Sequence, residues 1–153
     1  MRQPGRVLVG IVCLATAVFP FFTWFDRHHL GDPEWPQHAR AHLIWLMTLT
    51  MGGAWLSLTA VVRWWERSPD VRLAATLFPC FVWSACLIEG LVLSPILGVT
   101  LPYTQARWKV IGQLEANVFG IAAPLVIAVL GYWMDKRARR ATAPAATSHQ
   151  ASA

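Results

Sequence analysis

The sequence predicts an all-α protein, an integral membrane bundle of four transmembrane helices, and three observations predict it. The chain is 56% hydrophobic and only 14% charged, whereas a soluble domain carries about a quarter charged residues. Four apolar runs, 7–25, 43–62, 73–97 and 110–133, approach or exceed the roughly 20 residues with which an α-helix crosses a bilayer. Open sheets are excluded, because lipid offers no partner for edge N–H and C=O groups. One domain is expected over 1–137, with helices at about 7–25, 37–62, 72–97 and 109–134. A disordered tail rich in Ala, Ser, Thr and Pro is expected over 138–153.

Helix 1 follows Arg2 and Arg6, and Ala15-Thr16-Ala17 imitates a signal cleavage site. The apolar run continues to Phe25, which predicts an uncleaved first helix. Pro20 sits inside it, as lipid-embedded helices tolerate. Pro33 and Pro36 fix the following loop, and Pro36 suits the first turn of helix 2. His38, His42, Trp45, Leu49 and Gly52 then fall on one helical face. Gly52-Gly53 would admit another backbone. Ser68-Pro69-Asp70 is a helix-start signal for helix 3, and helix 4 is expected to begin near Trp108. Cys13, Cys80 and Cys86 lie inside apolar runs with no C-x-x-C, so they are expected to pack as small hydrophobes. No internal repeat is present, so an inverted-repeat transporter gains no support.

The net charge of +5 is placed by topology rather than by a nucleic-acid surface. Arg2, Arg6, Arg63, Arg67, Arg72, Lys136, Arg137, Arg139 and Arg140 fall on one side of the four spans, against Arg27, Arg40, Arg107 and Lys109 on the other. The positive-inside rule then predicts a multi-pass protein of the cell membrane with both termini cytoplasmic. Trp24, Trp35, Trp64, Trp65, Trp108 and Trp133 fall at span ends, where indoles anchor helices at the interface.

Chemistry concentrates where ionisable groups meet hydrocarbon. Asp32 to His42 packs two acids, two histidines, Arg40 and Trp35 against the start of helix 2. Glu89 lies about 24 Å along helix 3 from Leu73, and Glu115 about 10 Å along helix 4 from Trp108, by the 1.5 Å rise per residue. Three helices thus carry ionisable groups to a similar depth in the outer leaflet. Gln113 and Asn117 share one face of helix 4, with Glu115 roughly opposite. The candidate catalytic residues are Glu89, Glu115, His42 and His38. Glu34, Trp35, Arg40, Trp45 and Asn117 are candidates for substrate binding. His38 and His42 at i, i+4 have the spacing to grip a divalent ion. H-E-x-x-H and multiple histidine boxes are absent, so no metal and no cofactor are expected.

The run Trp35-Pro36-Gln37-His38-Ala39-Arg40-Ala41-His42 resembles the W-P-x-H-A-[R/K]-x-H segment of a family of small four-helix membrane proteins of unknown function. In architecture alone, the chain is also similar to emopamil-binding, sterol-isomerase-like proteins. That likeness implies acids in the bilayer acting on lipophilic amines or sterols. The expected function is a small membrane acid–base enzyme of isomerase, cyclase or epoxide-opening type. It would take a lipophilic substrate in an outer-leaflet pocket, with Glu89 kept protonated by burial. The alternatives are a proton-coupled small transporter or channel, and a non-catalytic helper subunit. The expected partners are the bilayer and a lipophilic small molecule, with no nucleic acid and with a homo-oligomer left open.

Overall fold

The structure, a computed structural model, describes residues 3–24, 30–31, 33–93, 96, 109–111 and 114–142. The expected all-α four-helix bundle is present. Helix α1 spans Pro4–Trp24, α2 Gln37–Thr59, α3 Pro69–Ile88 and α4 Ala116–Thr142. Single π turns extend two of them, Ala60–Trp64 after α2 and Glu89–Leu93 after α3. All four helices are long and apolar enough to cross a membrane, and the protein is accordingly a multi-pass membrane protein.

The start signal of α3 works as the sequence suggests. Ser68 is extended, its hydroxyl accepts from Val71 N at 3.2 Å, Pro69 opens the helix and Asp70 lies in its first turn. Two boundaries differ from expectation. α4 starts at Ala116 rather than near 109, because Lys109–Ile111 (β1) and Leu114–Glu115 (β2) pair as a short antiparallel ribbon. Glu115 therefore precedes the helix instead of occupying its first turns. α4 also runs on through 138–142, where a tail was expected, while 143–153 lies outside the described residues. The 98–108 connection, with Arg107 and Trp108, and the side chain of Trp24 lie outside them too.

Packing runs round the ring α1–α2–α3–α4, with α1–α4, α1–α2 and α3–α4 the broad seams and α2–α3 a thinner one. Small residues set the close approaches. A Cβ at Gly131 would lie 2.8 Å from Gly5 O, so α1 and α4 meet almost backbone to backbone there. Gly53 admits the Phe78 ring rather than another backbone, and Gly52 faces open space. One core cluster joins Val9, Cys13, Val61, Trp65 and Ala75, and a second joins Val12, Trp83 and Ala128. Trp83 Nε1 donates to Thr16 Oγ1 at 2.9 Å, and that hydroxyl donates to Val12 O at 2.8 Å. A buried indole N–H is thus satisfied in the dry interior. Cys13 is buried in the core and none of the cysteines is paired.

Candidate functional site

The inward face of α2 carries Met47, Thr50, Ala54 and Ser57, spaced by three and four residues. The histidine face lies on the other side. His38 and His42 are exposed, as are Trp45 (65%) and Leu49 (71%). The sequence expectation of a pocket-lining stripe is corrected here, and the reason is physical. In lipid an apolar side chain is at home outside, so small residues rather than large ones take the helix–helix seams. The inward residues of α3 are Ala75, Thr76, Pro79 and Trp83, and Glu89 lies exposed, in the first position of the π turn. Among the described residues, neither His42 nor Glu89 is enclosed between helices, and both lie on an open surface.

On that surface the histidines are joined. His38 Nε2 and His42 Nε2 stand 2.8 Å apart with rings nearly perpendicular, and the His42 ring meets Trp45 edge-on at 5.6 Å. Two nitrogens at that distance share one hydrogen bond, so one ring donates and the other accepts. Glu89 is level with the pair. The Gly53–Phe78 contact fixes the register of α2 against α3. His42 lies eleven residues along α2 from that contact and Glu89 eleven along α3, each about 16 Å at the helical rise. The π turn displaces the backbone at Glu89, a distortion common at functional sites. Of the other candidates, Glu34 is exposed, while Trp35 and Arg40 are half-buried near the start of α2.

Glu115 does not share this level. Trp83 and Ala128 pack together, with Glu89 about 9 Å beyond the first. The start of α4, which Glu115 immediately precedes, lies about 18 Å beyond the second. Its backbone therefore stands farther out than Glu89. The side chains of Glu115 and Asn117, and the whole of Gln113, lie outside the described residues. No group of three or more metal-ligating side chains occurs among the described residues.

The densest polar constellation is at the opposite, Arg-rich end. Asp135, only 5% exposed, accepts from Trp65 Nε1 at 3.1 Å and from Arg139 Nε at 2.7 Å, with Arg72 at 3.6 Å. Arg139 also forks onto Glu66 at 2.7 and 2.9 Å. That fork holds the Glu66 carboxyl down at about 2. Arg72 donates to Trp65 O at 3.0 Å. Trp65, expected at the interface, is instead 1% exposed at the centre of this cluster. Sequence reasoning took Arg72 and Arg139 as topology signals and passed over Asp135 and Glu66. The available signal was Asp135 itself, an acid four residues before Arg139 at the end of an apolar run. Compared with protein-family models, curated proteins and solved structures, the chain gives no match.

Proposed function

We propose that the protein binds a lipophilic molecule at its His-rich end and moves protons on it, as a double-bond isomerase, cyclase or epoxide-opening enzyme does. The observation that carries this reading is the 2.8 Å Nε2–Nε2 bond between His38 and His42. In such a pair the donor ring keeps a free acceptor at its Nδ1 and the acceptor ring keeps an N–H at its own Nδ1. The pair can accept a proton at one end and release one at the other. Glu89, at the same level, supplies a carboxyl on the facing helix.

In an isomerisation, the Glu89 carboxyl gives its proton to one carbon of a double bond and the histidine pair removes a proton from a neighbouring carbon. The proton returns to Glu89 through the pair, so nothing is consumed. The Trp45 ring lies where it can face a transient carbocation. Because the site is open, the substrate enters sideways from lipid. With the charge bias of the loops, this end is the outer one and both termini are cytoplasmic.

The test is mass spectrometry of lipophilic metabolites from cells expressing the wild type, Glu89→Gln or His42→Ala. A species altered by the wild type alone supports the reading. Identical profiles in all three would refute it. Exposure of Glu89, His42 and Trp45 favours a second reading, a helper subunit whose polar groups pair with a partner helix. In that case the same variants lose a cross-linked partner and leave the metabolites unchanged.

A further inference from the structure

At the Arg-rich end, α1 and the π turn after α2 leave an open groove of about 410 Å³ walled chiefly by Arg6, Val7, Gly10, Leu58, Val61 and Val62. Its volume falls within the range of small-molecule sites, about 300–1,000 Å³. Arg6 is built into the wall. Its Nε donates to Val61 O at 2.9 Å and its Nη2 to Val62 O at 2.6 Å. Both acceptors belong to the π turn, so the guanidinium is fixed and three of its five N–H donors remain for a ligand. Arg63, next along the chain, is exposed.

Charge at this end is unbalanced. Glu66 and Asp135 are taken by Arg139, and Asp70 stands in the first turn of α3. Arg63, Arg67, Lys136, Arg137 and Arg140 make no salt bridge among the described residues. Two of these cations lie over indoles, Arg67 on Trp64 at 5.4 Å and Arg137 on Trp133 at 5.2 Å. Arg6 begins one span and Trp64 ends another, so these groups sit at headgroup level.

We propose that the groove binds one anionic glycerophospholipid, with an acyl chain along Val7, Gly10 and Leu58 and its phosphate on Arg6 and Arg63. An apolar trough opening to the bilayer suits the chain. A fixed guanidinium and its exposed neighbour suit a phosphodiester, which guanidinium grips as a fork. The excess of unpaired cations selects a lipid with net negative charge over a zwitterionic one. This site is independent of the His-rich end.

The test uses the full chain in a neutral detergent, titrated with phosphatidylglycerol, with phosphatidylcholine of the same acyl chains, and with glycerol phosphate. Melting temperature and native mass spectrometry are the readouts. Phosphatidylglycerol is expected to raise the melting temperature and to remain bound as one molecule, and the other two are not. Arg63→Gln should weaken it about tenfold, the worth of one charge-assisted hydrogen bond. Gly10→Leu fills the trough and should abolish binding. Gly10→Ala should keep it, since a Cβ there meets only Val61 Cγ1 at an ordinary 3.5 Å. Should Gly10→Leu fail to fold, the exposed Arg63→Gln decides alone. Equal stabilisation by phosphatidylcholine, an equal effect of glycerol phosphate, or unchanged affinity in Arg63→Gln overturns the proposal.

Discussion

At the Arg-rich end, a buried aspartate collects an indole and two guanidinium groups from three parts of the chain, while at the His-rich end a glutamate and two histidines face outward. The difference teaches where each end spends its polarity. A carboxylate removed from water without partners costs several kcal/mol, so Asp135 is held by a complete set of donors and ties α4 to the α2–α3 connection. Glu89 and His42 have no such enclosure. One end has the build of a fastening, the other of a working surface.

The sharpest way to break that contrast is Glu89→Gln. The amide keeps the shape but cannot give up a proton. Turnover should fall by about 10²–10⁴-fold, the usual worth of general acid catalysis, with membrane insertion unchanged. Wild-type turnover with a folded Glu89→Gln protein would take Glu89 out of the chemistry and leave it a structural hydrogen-bonding group.

Asp135→Ala probes the other end. It leaves the buried Trp65 N–H without its acceptor and takes the shared carboxylate from Arg72 and Arg139, which keep only Trp65 O and Glu66, and unfolding free energy in detergent should drop by about 3–5 kcal/mol. The same substitution should leave the chemistry of the folded fraction intact. A loss below about 1 kcal/mol, the scale of exposed pairs, would mean that the cluster is solvated and the contrast between the ends is false.

These expectations also show what was readable beforehand. The number of helices, their approximate spans and the Ser68-Pro69-Asp70 start followed from residue type and spacing, because bilayer thickness and backbone satisfaction leave little choice. The side of α2 that turns inward did not follow. Every face of a membrane helix is apolar, so the stripe of His42, Trp45 and Leu49 looked like a lining, whereas Met47, Thr50, Ala54 and Ser57 make the seam. The Arg-rich cluster was hidden for a related reason. Basic residues at span ends already had a sufficient explanation in topology, and nothing local announces that Glu66 and Arg139, 73 residues apart, will meet. The ribbon that delays α4 and sets Glu115 before the helix was not legible either.

Trp83→Phe gives a smaller effect within the core shared by both ends. It removes the hydrogen bond to Thr16 Oγ1 and shrinks a ring that is only 4% exposed. Stability should fall by about 1–3 kcal/mol, the bond together with the space left by the smaller ring, and Thr16→Val should cost little more once Trp83 is already Phe. Fully additive losses from the two substitutions would show that they act separately.

The smallest effect is a pH dependence confined to the Arg-rich end. Arg139 holds the Glu66 carboxyl at about 2, below its ordinary 4.5. Between those values the unfolded chain binds a proton that the folded protein does not, so stability falls as the pH falls. The contribution of the Glu66–Arg139 fork is therefore complete above pH 4.5 and lost as the pH drops through about 2. Because Glu66 is half-exposed, its fork is worth about 0.2–1 kcal/mol, well short of the Asp135 contribution. Glu66→Gln should accordingly be less stable than the wild type by that amount near neutrality. The gap should close towards pH 2, when both proteins are unfolded by denaturant at a series of pH values. A gap that stays constant down to that pH would assign the loss to the amide NH2 set against the Arg139 donors rather than to charge, and the fork would then have no part in fastening this end.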